Sequence, residues 1–100
     1  MFTRSEYPKE VHIGEVTYRV RFVNKLDHEL TLGECDPGDL EIRIKKGQSR
    51  EDTFKTFIHE MIHAVFDEAE IPIKHKHVYK LEEFLFDFIQ KNSVGDRPKR

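Results

Sequence analysis

The stretch that decides the fold is Thr56-Phe57-Ile58-His59-Glu60-Met61-Ile62-His63-Ala64. Its apolar residues recur at helical spacing, which predicts a helix with one face turned toward a core. His59 and His63 are four positions apart, so their side chains lie next to each other on that helix. Two neighbouring imidazoles on one helical face can bind a single metal ion.

The order of the polar residues in this stretch matches the H-E-x-x-H arrangement of zinc hydrolases. Glu60 follows the first histidine and is expected near the open side of the metal, where a carboxylate can take a proton from a water molecule. His59 and His63 are therefore candidate zinc ligands, and Glu60 is the candidate general base. A catalytic zinc site also needs a third protein ligand.

Helix signals surround the motif. Ser49 and Asp52 form a plausible capping box at the start of the helix, and Pro72 predicts its end near Glu70. The apolar face predicted for this helix consists of Phe54, Phe57, Ile58, Met61, Ile62, Val65, Phe66 and Ala69.

A second helix is expected to begin between His75 and Val78 and to end between Asn92 and Gly95. Its inward face is predicted to contain Val78, Leu81, Phe84, Leu85, Phe88 and Ile89.

The first half of the chain has the period of strands. Residues 16–23 alternate between apolar and polar side chains, residues 10–13 precede them across a turn at Gly14-Glu15, and residues 40–45 alternate again after the turn signal at 36–39. Residues 30–33 are a candidate third strand. The predicted fold class is α+β, a small zincin-like domain in which an antiparallel or mixed sheet of three or four strands precedes the motif helix and a closing helix.

Glu82 and Glu83 are the first candidates for the third zinc ligand, because a carboxylate on a second helix at this distance completes the site of the glutamate-ligand zinc peptidases. On a helical wheel Glu82 lies on the flank that faces the motif helix, whereas Glu83 points toward water. A carboxylate on that flank needs a cationic partner, which favours Glu82. His75 and His77, at the entry to the closing helix, are the alternatives. The metzincin pattern fails, since Phe66 and Ala69 occupy its glycine and histidine positions.

Other polar residues near the motif have candidate supporting roles. His75, His77 or Tyr79 could stabilise an oxyanion, unless these are exposed residues at a helix entry. Asp67 could hydrogen-bond the outer nitrogen of a ligand imidazole, although a solvated acidic helix end explains it equally well.

The remaining histidines and the single cysteine are predicted to have no catalytic role. His12 and His28 are expected at the surface. Cys35 is expected to be a small buried residue, because no base is placed by sequence to activate it.

Composition limits the class of protein. The chain has 100 residues, a formal net charge of −2 and one cysteine, so we expect one domain and no internal disulfide. Balanced charge gives no indication of nucleic acid or membrane as a partner. The absence of a signal-like or membrane-spanning apolar run predicts a cytoplasmic protein. The single domain is predicted over residues 1–100, with an ordered core from about 9 to 92 and a tail over 93–100.

Together the motifs and their order resemble the compact zinc metallopeptidases often encoded by phages and mobile elements, akin to the ImmA/IrrE group of glutamate-ligand zincins. The resemblance covers about residues 10–92 and depends most on His59 to His63. It implies zinc bound by His59, His63 and Glu82, with Glu60 as the base. A third histidine ligand would instead make the site similar to that of the SprT-like peptidases. The resemblance also implies that an extended peptide pairs with an edge strand formed by Leu40, Glu41, Ile42, Arg43 and Ile44.

The predicted function is therefore zinc-dependent hydrolysis of peptide bonds in a protein or peptide substrate. The alternative, from another class, is a non-catalytic zinc-stabilised interaction or regulatory domain with a closed coordination shell. A non-peptide amide or another small substrate is a third possibility. Within these 100 residues we expect neither the helix before the sheet nor the substrate-holding second domain of larger relatives, so the prediction does not extend to activity in isolation or to oligomeric state.

Overall fold

A mixed β-sheet is built from the alternating segments of the first half of the chain. The computed structural model describes residues 6–28 and 30–92. Its strands are β1 (Glu10–Ile13), β2 (Val16–Val23), β3 (Gly33–Asp36) and β4 (Glu41–Lys45), and two helices, α1 (Arg50–Ala69) and α2 (His75–Asn92), follow. This order and composition confirm the predicted α+β class. The predicted end of the second helix toward Gly95 and the tail over 93–100 lie outside the described residues.

The four strands lie in the order β1-β2-β4-β3. β1 and β2 form an antiparallel hairpin in which Ile13 faces Val16, and Gly14 makes the turn with a φ of +59°, a left-handed conformation that glycine adopts without steric cost. β2 pairs with β4 in parallel, and β3 pairs with β4 in an antiparallel direction. The third strand therefore begins at Gly33, where the predicted segment 30–33 was expected to end.

The predicted role of β4 as the edge strand is wrong. Residues from Glu41 to Lys45 are paired with β2 on one side, and Ile44, Arg43, Ile42 and Glu41 are paired with β3 on the other. The set Leu40, Glu41, Ile42, Arg43 and Ile44 therefore includes no strand residue with a free backbone edge for a peptide. Alternation showed that β4 is a strand but carried no information about its neighbours, and the edge that borders the helices belongs to β3.

α1 begins and ends where the sequence signals placed its limits. The hydroxyl of Ser49 accepts a hydrogen bond of 3.0 Å from the backbone N–H of Asp52, which satisfies a free N–H group of the first turn. Glu70 closes the helix in a left-handed conformation with a φ of +60°. The predicted face is buried at Phe54, Phe57, Ile58 and Ile62, whereas Val65 and Ala69 are exposed.

α2 turns a different face toward the core than its apolar pattern predicts. Val78 is buried, and Phe86 and Ile89 pack against the core. The exposed apolar side chains of this helix include Leu81, Phe84, Leu85 and Phe88, which were predicted to point inward. The side of α2 that packs on α1 also carries polar residues. Its centre therefore does not coincide with the centre of the apolar residues on a helical wheel.

The core lies between the sheet and the two helices. Its fully buried large side chains are Tyr18 from β2, Ile42 and Ile44 from β4, and Val78 from α2. On the other side of β4, Glu41 is buried and accepts hydrogen bonds from Arg19, Arg21 and Arg43. No helix in the described part of the chain has the length and apolar character required to cross a membrane.

Candidate metal centre

Three elements meet around a cleft of about 730 Å³, which is bordered by β3, by the segment before it, and by the facing sides of α1 and α2. Helical spacing brings the side chains of His59, Glu60 and His63 from α1 into this cleft, and His75 and Tyr79 come from α2. The cleft thus collects the central motif and part of the predicted closing helix in one place.

Three imidazole rings form a tight triangle in the cleft. The ring centroids of His59 and His63 are 4.9 Å apart, those of His59 and His75 are 5.1 Å apart, and those of His63 and His75 are 4.9 Å apart. One ring nitrogen from each histidine lies within 4.8 Å of the corresponding nitrogens of the other two. In the part of the chain that the structure describes, this is the one group of three such side chains close enough to share a metal ion.

The donor set fits a zinc ion. The Nε2 atoms of His59 and His75 are 3.1 Å apart, close to the roughly 3.3 Å that separates two nitrogens of a tetrahedral site with zinc–nitrogen bonds of about 2.0–2.1 Å. Burial lowers the pKa of His63, and the neighbouring His59 and His75 lower it further. The neutral imidazole favoured in this way is the form that binds metal.

Glu82 lies behind His59 and outside the histidine triangle. Its Oε1 is 2.9 Å from the Nδ1 of His59, while the Nε2 of the same ring faces His75. A carboxylate on the outer nitrogen fixes the orientation and tautomer of a ligand histidine. The geometry therefore favours His75, the predicted alternative, as the third ligand and gives Glu82 the supporting position. Glu83 is exposed and does not line the cleft.

Glu60 is a buried carboxyl group with a raised pKa. Its relative exposure is only 7%, it lines the cleft, and no described residue gives it a hydrogen bond or an ion pair. Burial raises its pKa to about 7, and the negative charges of Glu34 and Glu82 act in the same direction. A carboxyl group with a pKa near neutrality suits a proton-transfer role.

Gly33 allows β3 to approach Glu60 closely. A β-carbon at Gly33 would lie 2.6 Å from Cγ2 of Thr56 and 3.1 Å from both Cγ and Oε2 of Glu60. Only glycine fits this contact between the edge strand and α1. A single glycine at a strand end does not reveal which helix residue it touches, so this contact was not predictable from the sequence.

Tyr79 lies at the predicted site, and His77 does not. The ring of Tyr79 packs on His59 at 4.8 Å and on His75 at 5.3 Å between centroids. His77 is exposed and does not line the cleft. Asp67 lines the cleft without a hydrogen bond to a described imidazole, and the carboxylate that contacts an imidazole nitrogen is that of Glu82.

The residues predicted to lack a catalytic role are placed as follows. His12 is exposed and its Nδ1 is 3.0 Å from the hydroxyl of Thr17, far along the chain from the motif. His28 is also exposed, at the mouth of the cleft. Cys35 is partly buried in β3, and burial, reinforced by nearby carboxylates, raises its pKa to about 12. The thiol therefore stays protonated at neutral pH, as expected of a cysteine that is not a nucleophile.

A simple signal for His75 was present in the sequence. His75 and Glu82 are seven positions apart and thus two turns along the same face of α2, with Val78 between them. A helical wheel centred on Leu81, Leu85 and Phe88 does not reveal this face, because it weighs apolar character alone.

The chain was also compared with protein-family models, with curated protein sequences and with solved structures, and none of them matches it.

Proposed function

We propose that this protein is a zinc-dependent peptidase in which His59, His63 and His75 hold the metal and Glu60 is the general base. The observation that carries the proposal is the triangle of imidazole nitrogens beside a buried carboxylate in one open cleft. Structural zinc sites surround the ion with four protein ligands, whereas catalytic sites have three and keep one position open. Three histidines facing an open cleft correspond to the second arrangement.

Each side chain of the site has a task in this reaction. Zinc, when bound, would supply a Lewis acid that polarises the substrate carbonyl and lowers the pKa of a water molecule to about 7. Glu60 takes a proton from the attacking water and delivers it to the nitrogen of the leaving amine. Glu82 accepts a hydrogen bond from the Nδ1–H of His59 and so holds this ring with its Nε2 toward the cleft.

Tyr79 and β3 would position the substrate. Tyr79 packs on two of the three histidines, so its hydroxyl is the candidate donor to the oxygen of the reacting carbonyl. β3 ends the sheet on the side of the cleft, and an extended peptide can add to a free strand edge through its backbone. The close contact of Gly33 with α1 places this strand edge near Glu60. The expected compartment is the cytoplasm, where Cys35 stays reduced.

The Glu60→Gln variant tests this proposal. The zinc-loaded wild-type protein is incubated with a complex peptide mixture and the products are identified by mass spectrometry. We expect Glu60→Gln to bind about one zinc per chain, as the wild type does, and to cleave about 10²–10⁴-fold more slowly.

Asp87→Asn is the matched control, because Asp87 pairs with Lys91 on the exposed side of α2 and does not line the cleft. This variant is expected to cleave at the wild-type rate. Equal cleavage by Glu60→Gln and the wild type would remove Glu60 from the reaction, and a zinc-loaded wild type that cleaves nothing would overturn the peptidase proposal.

A further inference from the structure

The charged residues that line the cleft around the three histidines are mainly acidic. Outside the proposed catalytic groups, its carboxylates are Asp27, Glu34, Asp36 and Asp67. Arg43 is the single lysine or arginine that lines the cleft within the described residues. Zinc would bring two positive charges to the histidines, whereas these four carboxylates belong to the rest of the cleft.

Arg43 is not free to receive an anionic substrate group. Its guanidinium donates to Glu34 at 3.0 Å, to Asp36 at 2.9 Å and to Glu41 at 2.8 Å. These bonds, that to Asp36 foremost, raise the pKa of Arg43. Arg19 and Arg21 also bond Glu41 but do not line the cleft. Away from the metal, a substrate carboxylate in the cleft would therefore meet acidic side chains and no unpaired lysine or arginine among the described residues.

Two of the carboxylates are free to bind a substrate. No hydrogen bond or ion pair from a described residue engages the side-chain oxygens of Asp27 or Asp67. Asp27 lies near the beginning of β3, where its backbone N–H donates a hydrogen bond to the side chain of Glu34. Asp67 lies near the end of that strand, where its negative charge contributes to the raised pKa of Cys35. The acidic groups are thus spread along the strand edge, and among the described residues they form no cluster close enough to chelate an ion.

The cleft also carries independent evidence that it binds a ligand. Glu60 is more than nine-tenths buried, faces the cleft and has no hydrogen-bonding partner among the described residues. Next to the acidic groups, Leu32 lines the cleft and is half-exposed. A lysine or arginine side chain combines an aliphatic stem with a cationic head, and this pair of properties matches an apolar wall beside a carboxylate.

We propose that the cleft selects peptide segments that carry positive charge next to the bond to be cleaved. The selection rests on the proposed peptidase function and extends it to a class of substrate. A peptide added to the edge of β3 places some of its side chains beside Glu34 and Asp36 as cross-strand neighbours. Its remaining positions reach Asp27 at one end and Asp67 at the other. Either a basic side chain or a terminal amine can supply the charge.

Binding is measured apart from hydrolysis by using zinc-loaded Glu60→Gln protein and fluorescent peptides. The peptides form matched sets in which one position at a time is lysine, norleucine or glutamate, each made with a free and with an acetylated N-terminus. We expect at least one position where lysine binds about tenfold more tightly than norleucine at low salt and glutamate more weakly than either. The difference shrinks at high salt, because counterions screen the charges.

Variants of the free carboxylates locate the effect. Asp27→Asn and Asp67→Asn, each combined with Glu60→Gln, are expected to lose the lysine preference at different peptide positions. Asp87→Asn in the same background changes the net charge equally, lies outside the cleft and is expected to keep the preference. A preference that survives acetylation is due to the side chain, and one that acetylation abolishes is due to the terminal amine. Both results support the proposal.

Equal binding of lysine, norleucine and glutamate at every position would overturn the charge selection while leaving the peptidase proposal intact. An equal loss of preference in Asp87→Asn would also overturn it, since the effect would then come from net charge. Selective binding of lysine peptides by a zinc-loaded wild type that hydrolyses none of them would instead contradict the peptidase proposal alone.

Discussion

Gly33 connects the fold to the site at the scale of a single residue. Its missing side chain lets β3 lie against Thr56 and Glu60 of α1. We expect Gly33→Ala to lower the free energy of unfolding by about 1–3 kcal/mol, because the added methyl group overlaps Cγ2 of Thr56. Chemical denaturation monitored by circular dichroism measures this change.

A second substitution distinguishes this contact from a general cost of alanine at position 33. Thr56→Ser removes Cγ2, so the Gly33→Ala, Thr56→Ser double variant is expected to recover part of the lost stability. Additive effects of the two substitutions would contradict the close contact.

Glu41 is a second single residue on which the stability of the fold depends, on the side of the sheet that faces away from the helices. Burial pushes its pKa upward, but the hydrogen bond from Arg43 and the charges of Arg19 and Arg21 outweigh burial, so the pKa is lowered. A carboxyl group with a lowered pKa in the folded state stabilises the protein above its unfolded pKa of about 4.3. This contribution is lost as the pH falls through the lower, folded value.

We therefore expect Glu41→Gln to be less stable than the wild type by about 1–2 kcal/mol at pH 7, with the difference disappearing toward pH 3. Urea denaturation between pH 7 and pH 3 measures both curves, and Glu51→Gln is a control on the exposed start of α1. A difference that stays constant over this range would show that the charge of Glu41 does not stabilise the fold.

At the scale of elements, α2 has two apolar faces, and one of them packs against the core. Phe86 contacts Phe54 with ring centroids 6.1 Å apart, whereas Phe84 is 67% exposed. Phe86→Ala is expected to cost about 2–4 kcal/mol of unfolding free energy and Phe84→Ala less than about 0.5 kcal/mol. Denaturation of the two variants side by side compares the same chemical change on opposite faces. The reverse order would support the orientation predicted from the apolar pattern.

The sequence predicted the individual helices and strands well, but it did not predict which strands pair or which face of α2 packs against the core. Alternation in β2 and β4, the Ser49 cap and Pro72 all depend on residues close together in the chain, and each marked an element that the structure contains. Strand order depends on contacts between distant segments, so the central position of β4 and the edge position of β3 were not predictable from periodicity. The inward face of α2 was misjudged because the side that contacts His59 of α1 carries the polar residues His75 and Glu82.

At the scale of the whole molecule, the sheet and the two helices bring residues from distant parts of the chain into one site. α1 supplies His59, Glu60 and His63, whose spacing was visible in the sequence. α2 supplies His75 and Glu82, and the ring of His59 contacts both of them through its two nitrogens. These two contacts of one ring are the reason for proposing His75, and not Glu82, as the third ligand.

Metal analysis tests the three-histidine site most directly. Wild type, His75→Ala, Glu82→Ala and Glu83→Ala are purified side by side, dialysed against a defined free zinc concentration and analysed by mass spectrometry for bound metal. We expect about one zinc per chain in the wild type and in Glu83→Ala, loss of zinc in His75→Ala, and affinity about 10–100-fold weaker in Glu82→Ala. Full zinc binding by His75→Ala together with its loss in Glu82→Ala would contradict the three-histidine site and restore Glu82 as the third ligand.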